Sequence, residues 1–153
     1  MILTSQQVAT LRAWVIANHN AVFDESTLAP LNAVASPAFI VWKTNVTNQE
    51  IMQNGFDWVR VDNLSAGKAR IWEWMFQFGS VDPSKTNVRA GFDAVWVGTQ
   101  ADLAVRAAVY AHCKRSATVG EKMFATGTGS DAVPATMGPE GLVTLDNVVA
   151  AGS

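Results

Sequence analysis

The chain has 153 residues, 11 basic and 13 acidic side chains, a net charge of −2, and a composition that is 49% hydrophobic and 16% charged. That suits one domain with enough apolar material for a core, and the charge is well below the roughly 25% usual in soluble domains. This balance excludes a strongly basic nucleic-acid binder, and the single cysteine, Cys113, excludes an intrachain disulfide and fits a reducing cytosol.

Thr4-Ser5-Gln6-Gln7 has the pattern of a capping box and opens a helix with Val8, Leu11, Val15 and Trp14 along one face, stopping near Asn18–Asn20. Met1–Thr4 lacks the basic-then-apolar pattern of a secretory leader, so none is expected. Asp24-Glu25-Ser26-Thr27 starts a short helix through Leu31 and Val34, ended by Ser36-Pro37, because the residue before a proline avoids the helical region. Phe39–Trp42 fits a short strand or a buried helical turn. Thr47-Asn48-Gln49-Glu50 is a second capping box, leading into Ile51 and Met52 and stopping at Asn54-Gly55. Phe56–Asp62 alternates apolar and charged residues, the pattern of a strand, or of an irregular segment laid over a helical core.

Ser65 opens a helix expected to run through Gly79. Its apolar ladders, Ile71/Trp74/Met75/Phe78 and Trp72/Phe76, exceed the roughly 100° stripe of a one-sided helix, so it is either central or also faces a partner. Asp82-Pro83 reads as a helix entry, followed by Val88, Phe92, Val95 and Trp96, with Gly98 closing. Thr99–Asp102 is a third capping box for a helix from Gln100 to about Lys114, and Thr118–Glu121 starts a last short helix ending near Phe124.

From Gly127 to Ser153 there is no Lys, Arg or aromatic residue, but five Gly, two Pro and three acids. This composition has too little large apolar surface for a core of its own. The expected fold is therefore mainly α, a compact helical bundle over 1–126 with an extended C-terminal docking arm over 127–153. The arm is expected to lie along its own body or on a neighbouring subunit. No uncharged apolar run approaches the roughly 20 residues of a membrane span, so no membrane partner is expected.

Catalytic signatures are sparse. His112-Cys113 is the only His/Cys adjacency, and two His with one Cys fall short of the four ligands of a structural zinc site. Gly127-Thr128-Gly129-Ser130 lacks the lysine and the following helix of a phosphate-binding loop. Asp57, Asp62 and Glu73 lie beside tryptophans as in carbohydrate sites, but ion pairing such as Arg70–Glu73, or stacking of Arg70 on Trp74, explains that neighbourhood equally well. Arg60, Lys68, Arg70 and Arg89 could touch phosphates, without any groove-binding motif to direct them. No catalytic residue, metal or cofactor is assigned. Of the six tryptophans most belong to the core, and Trp74 is the one expected at an interface, since Trp72 and Trp74 cannot share a narrow helix face.

Three segments are similar to a family of small proteins encoded among the virion genes of tailed bacteriophages. They are Val41-Trp42-Lys43-Thr44-Asn45-Val46 with Ile51-Met52, Asn87-Val88-Arg89-Ala90-Gly91, and Lys114–Thr118 through Glu121–Ser130 into Pro134–Met137 and Glu140-Gly141. By fold-level analogy the chain resembles the portal adaptors of short-tailed phages, small helical proteins that form rings beneath the portal. The resemblance implies a non-enzymatic head-to-tail connector at the head-tail junction of the virion, assembled in the host cytoplasm as a homo-oligomeric, twelvefold ring. Its implied partners are further copies of itself, the portal and a tail tube or nozzle protein, with DNA passing non-specifically. The surfaces expected to serve are Trp72, Trp74, Phe78, Arg89 and Arg106 on the body, and Pro134, Met137, Val143, Leu145, Val148 and Val149 on the arm. Head-completion, tail-tube-end or capsid-decoration proteins are the alternatives, and an intracellular phage-encoded regulator is a third.

Overall fold

A computed structural model describes residues 1–153, and it is mainly helical, as expected. The chain forms two compact units: Met1–Val41 with Ser116–Ser153, and Trp42–Arg115. The division falls at 41/42 and 115/116, not at 126/127. The chain leaves the first unit in strand β1 (Ile40–Trp42) and returns in β4 (Lys114–Ser116).

The first unit is built from α1 (Ser5–Asn18), a 3₁₀ turn (Glu25–Thr27) running into α2 (Leu28–Asn32), α8 (Val119–Phe124) and α9 (Leu145–Gly152). Thr4 and Gln7 form the expected capping box, and the helix start read at Thr118 proves to be a further one, with Glu121. Leu11 and Val15, four residues apart and so on one helix face, pack with Leu31, Val143, Val148 and Ala151 in one buried cluster. α9 lies along α1, and Arg12 donates to the Ala151 carbonyl at 2.8 Å. The Asn32 side chain clamps Val143 from both sides, donating to its carbonyl at 3.0 Å and accepting from its amide at 2.9 Å.

The C-terminal segment therefore does not extend away from the body. Between α8 and α9 the chain is extended and tied by backbone bonds: Thr126 and Thr136 exchange N–H···O bonds at 2.8 and 2.9 Å, and Ala135 donates to Ile40 at 2.9 Å. Ala135 and Met137 are buried with Val41 and Ala117. Gly129 donates no side chain because Phe39 occupies the space where its Cβ would stand, and its φ of 66° suits glycine. Its carbonyl accepts from Ile40 at 2.7 Å. The segment thus lies along its own body, one of the two placements expected, held by backbone pairing and a few valines rather than by large side chains, and it contains a helix, α9, that was not expected.

In the second unit, β2 (Val46–Thr47) pairs antiparallel with β3 (Ser80–Val81), Val46 opposite Val81. Around this ribbon lie α3 (Asn48–Ile51), α4 (Trp58–Asp62), α5 (Ala66–Met75), α6 (Thr86–Val95) and α7 (Gln100–His112). Capping boxes at Thr47/Glu50 and Thr99/Asp102 start α3 and α7 as the sequence predicts. Three expectations are corrected. Residues 58–62 are helical, neither the strand nor the irregular segment that the alternation allowed, because the Asp57 carboxylate caps the Val59 amide. α5 ends at Met75 rather than Gly79, and Phe76–Phe78 form a turn. Asp82-Pro83 does not cap α6: Asp82 accepts from the Ser84 amide and hydroxyl in a turn of its own, and the helix begins at Thr86.

The centre of this unit is aromatic. Trp72 stacks on Phe56 at 5.8 Å and meets Trp96 edge-on at 5.1 Å, with Phe76 and Phe92 beside it. In the first unit, truncating Leu11, fully buried between α1 and α9, should cost about 2–5 kcal/mol. Urea unfolding of Leu11→Ala, followed by circular dichroism, checks this; an unchanged midpoint would show that α9 does not depend on α1.

Candidate functional site

The one His/Cys pair is engaged in packing. His112 Nε2 lies 3.0 Å from the Asn54 carbonyl, and Cys113 is fully buried at the end of α7, where burial pushes its thiol up to about 12. No group of three or more His, Cys, Asp or Glu is placed to hold a metal ion. The Gly127–Ser130 loop turns its Gly129 carbonyl into backbone pairing.

The strongest electrostatic contact ties α4 to α7. Arg60 donates from Nε and Nη2 to one oxygen of Asp102, at 3.1 and 2.7 Å, while the other oxygen caps the Thr99 amide at 3.1 Å. Hydrogen bonds from the guanidinium, then from Thr99, hold the Asp102 carboxyl down at about 2. Tyr110 donates to Asp93 at 2.9 Å and to the Arg89 carbonyl at 3.1 Å, and burial drives its phenol above its ordinary range. These contacts brace helices against one another.

The residues expected at an interface divide sharply. Trp72 is 7% exposed and belongs to the core. Arg89 turns inward, donating to the Pro83 and Ser84 carbonyls at 2.7 and 2.8 Å and lying over the Trp42 ring at 4.8 Å. Arg106 is half-buried in an ion pair with Asp93 at 3.3 Å. Pro134, Met137, Val143 and Val148 are buried in the first unit, while Leu145 and Val149 face outward from α9. The segment's anchors thus hold its own unit together.

Trp74 and Phe78 are the opposite case: 78% and 89% exposed. Residues two positions apart on a helix differ by about 200°, so burying Trp72 turns Trp74 outward. Trp74 forms a ridge with a shallow cleft on either side. One is an open groove of about 460 Å³, lined chiefly by Met75 of α5, Val81 of β3, and Val88 and Gly91 of α6. The other is smaller and lies between Arg70, Glu73, Trp74 and Gln77. Arg70 and Glu73 are both exposed and do not pair with each other, contrary to the expectation. Sequence reasoning missed a further exposed pair, Trp58 and Val59 on α4; the capping signal at Asp57 was the clue to that helix and hence to its outer face.

No family model, no curated protein and no solved structure matches the chain. No helix is long and apolar enough to cross a membrane.

Two outcomes follow from the titrating groups. Cys113 should resist thiol reagents in the native protein and react fully once urea unfolds it; fast native labelling would contradict its burial. Asp102, with a pKa depressed from 3.8 to about 2, stabilises the fold above its unfolded pKa, and that contribution is lost as pH falls from about 4 towards 2. Asp102→Asn should be less stable at neutral pH and should flatten that acid limb, as read by urea unfolding across a pH series.

Proposed function

We propose that the chain is a structural protein of a bacteriophage virion, a head-to-tail connector that assembles with copies of itself as a ring between portal and tail. The observation that carries the assembly reading is the exposure of Trp74 and Phe78 beside an apolar groove. Large aromatic side chains in that position favour a covered surface over an aqueous one. The virion reading rests on the likeness of the three segments quoted above, and the connector role on analogy of size and helix content. On this reading the chain is not an enzyme, and its partners are the portal and a tail tube or nozzle protein, with DNA passing without sequence recognition.

The C-terminal segment takes a different part from the docking arm first expected. With Val143 and Val148 buried in its own unit, it closes the body, and Leu145 and Val149 on the outer side of α9 are what it can offer a neighbour. The same observation favours a second reading, another virion component such as a head-completion, tail-tube-end or capsid-decoration protein, since those positions need no long clasp.

Native mass spectrometry of the purified chain, alone and with the portal, separates the two. The connector reading expects a ring on the portal; a chain that never associates with the portal would overturn it.

A further inference from the structure

We propose that Asn54-Gly55 is a self-modification site, at which the Gly55 nitrogen closes on the Asn54 side-chain amide and His112 activates the peptide group between them. The two residues form the tip of the turn between α3 and α4. The Gln53 carbonyl accepts from the Phe56 amide across it at 3.1 Å. Gly55 has a φ of 90°, whereas Asn54 is not in the left-handed region. That is the pattern of a type II turn, which calls for glycine at its third position. A Cβ at Gly55 would also stand 3.0 Å from the Ala108 Cβ of α7. The fold thus requires glycine here for two reasons, and glycine leaves the nitrogen that follows Asn54 without a side chain to shield it.

Both reacting groups are free. Asn54 and Gly55 are exposed. The Gly55 N–H donates to no acceptor, and the Asn54 side-chain amide has no hydrogen-bond partner. The Asn54 carbonyl is the exception. His112, half-buried at the end of α7, places Nε2 at 3.0 Å from it. A carbonyl oxygen only accepts, so Nε2 carries the proton and donates. That oxygen belongs to the same peptide group as the Gly55 nitrogen. When the nitrogen loses its proton, negative charge spreads onto the oxygen, and the His112 donor meets it there, as donors do in an oxyanion hole.

No other asparagine combines these features. Asn54 is the one asparagine of the chain followed by glycine. The side chains of Asn18, Asn32 and Asn63 are held by the carbonyls of Trp14, Val143 and Val59.

The reaction needs only water as co-reactant. The Gly55 nitrogen attacks Asn54 Cγ, its neighbour along the same chain, so no encounter has to be arranged. The new N–Cγ bond closes a succinimide ring, the Cγ–Nδ2 bond breaks, and Nδ2 leaves as ammonia with the proton given up by the Gly55 nitrogen. Water then opens the ring. Addition at Cγ leaves aspartate on the ordinary backbone, and addition at the backbone carbonyl leaves isoaspartate, with the main chain routed through Cβ. The turn leads straight into Phe56, buried and stacked on Trp72, so the extra methylene of isoaspartate reaches the aromatic core. The site does not depend on the virion reading.

The test follows the folded full chain in warm, neutral buffer, with mass spectrometry of its peptides reading amide-to-acid conversion and enzymatic methylation reading isoaspartate. Asn54 should convert well ahead of every other asparagine, and Asn54→Gln should abolish the isoaspartate signal. His112→Ala, checked for folding by circular dichroism, should slow conversion about three- to tenfold, the worth of one hydrogen bond. His112→Gln, which keeps a donor, should recover the rate. In guanidinium chloride the wild type and His112→Ala should convert alike, because the contact belongs to the folded chain. Conversion of Asn54 no faster than that of Asn63 overturns the proposal. So does a folded His112→Ala that converts as fast as the wild type or faster, since His112 would then only restrain the turn. Failure of His112→Gln to recover the rate, or a gap that persists in guanidinium chloride, overturns the part given to His112.

Discussion

Trp72 and Trp74 stand two residues apart on one helix, and no rotation of α5 can bury both against a single core. The second unit resolves this in favour of Trp72. Its ring is ringed by Phe56, Phe76, Phe92 and Trp96, so it draws aromatic residues from the turn before α4, from the end of α5 and from α6. Moving it would unseat each of them. Trp74 is exposed as the geometric consequence, and the groove beside it is the space left between α5, β3 and α6 once that core is closed.

The first unit is held differently. It has no comparable aromatic centre, and its core is assembled from aliphatic residues far apart in sequence: Leu11 and Val15 near the start, Leu31 after the first turn, Val143 and Val148 near the end. Such long-range closure needs polar guidance. The Asn32 clamp on Val143, the Arg12 bond to Ala151 and the Met1 amine on Leu142 supply it. The Asn32 and Arg12 bonds satisfy part-buried backbone groups of the C-terminal segment that would otherwise lose their hydrogen bonds to water, and the Met1 amine adds an exposed tie.

Much of the helical framework was legible in the sequence because its signals are local. The capping boxes at Thr4, Thr47 and Thr99 all form, and the helix start at Thr118 is a fourth, since a hydroxyl and an acid or amide three residues on need only each other. The signal failed where two local patterns competed. Alternation over Phe56–Asp62 suggested a strand, but the Asp57 carboxylate caps a helix there. Asp82-Pro83 matched a helix entry, but Ser84 took the Asp82 carboxylate into a turn. The C-terminal segment was misread for a different reason. Thr144 and Asn147 form a capping box with asparagine in the position usually held by glutamate or glutamine, and α9 behind it has only small and aliphatic side chains. Its stability comes from α1, which no local pattern encodes. The outward direction of Trp74 could be read from helix geometry alone, whereas the inward turn of Arg89 could not, because its acceptors are carbonyls of a turn whose course depends on the fold.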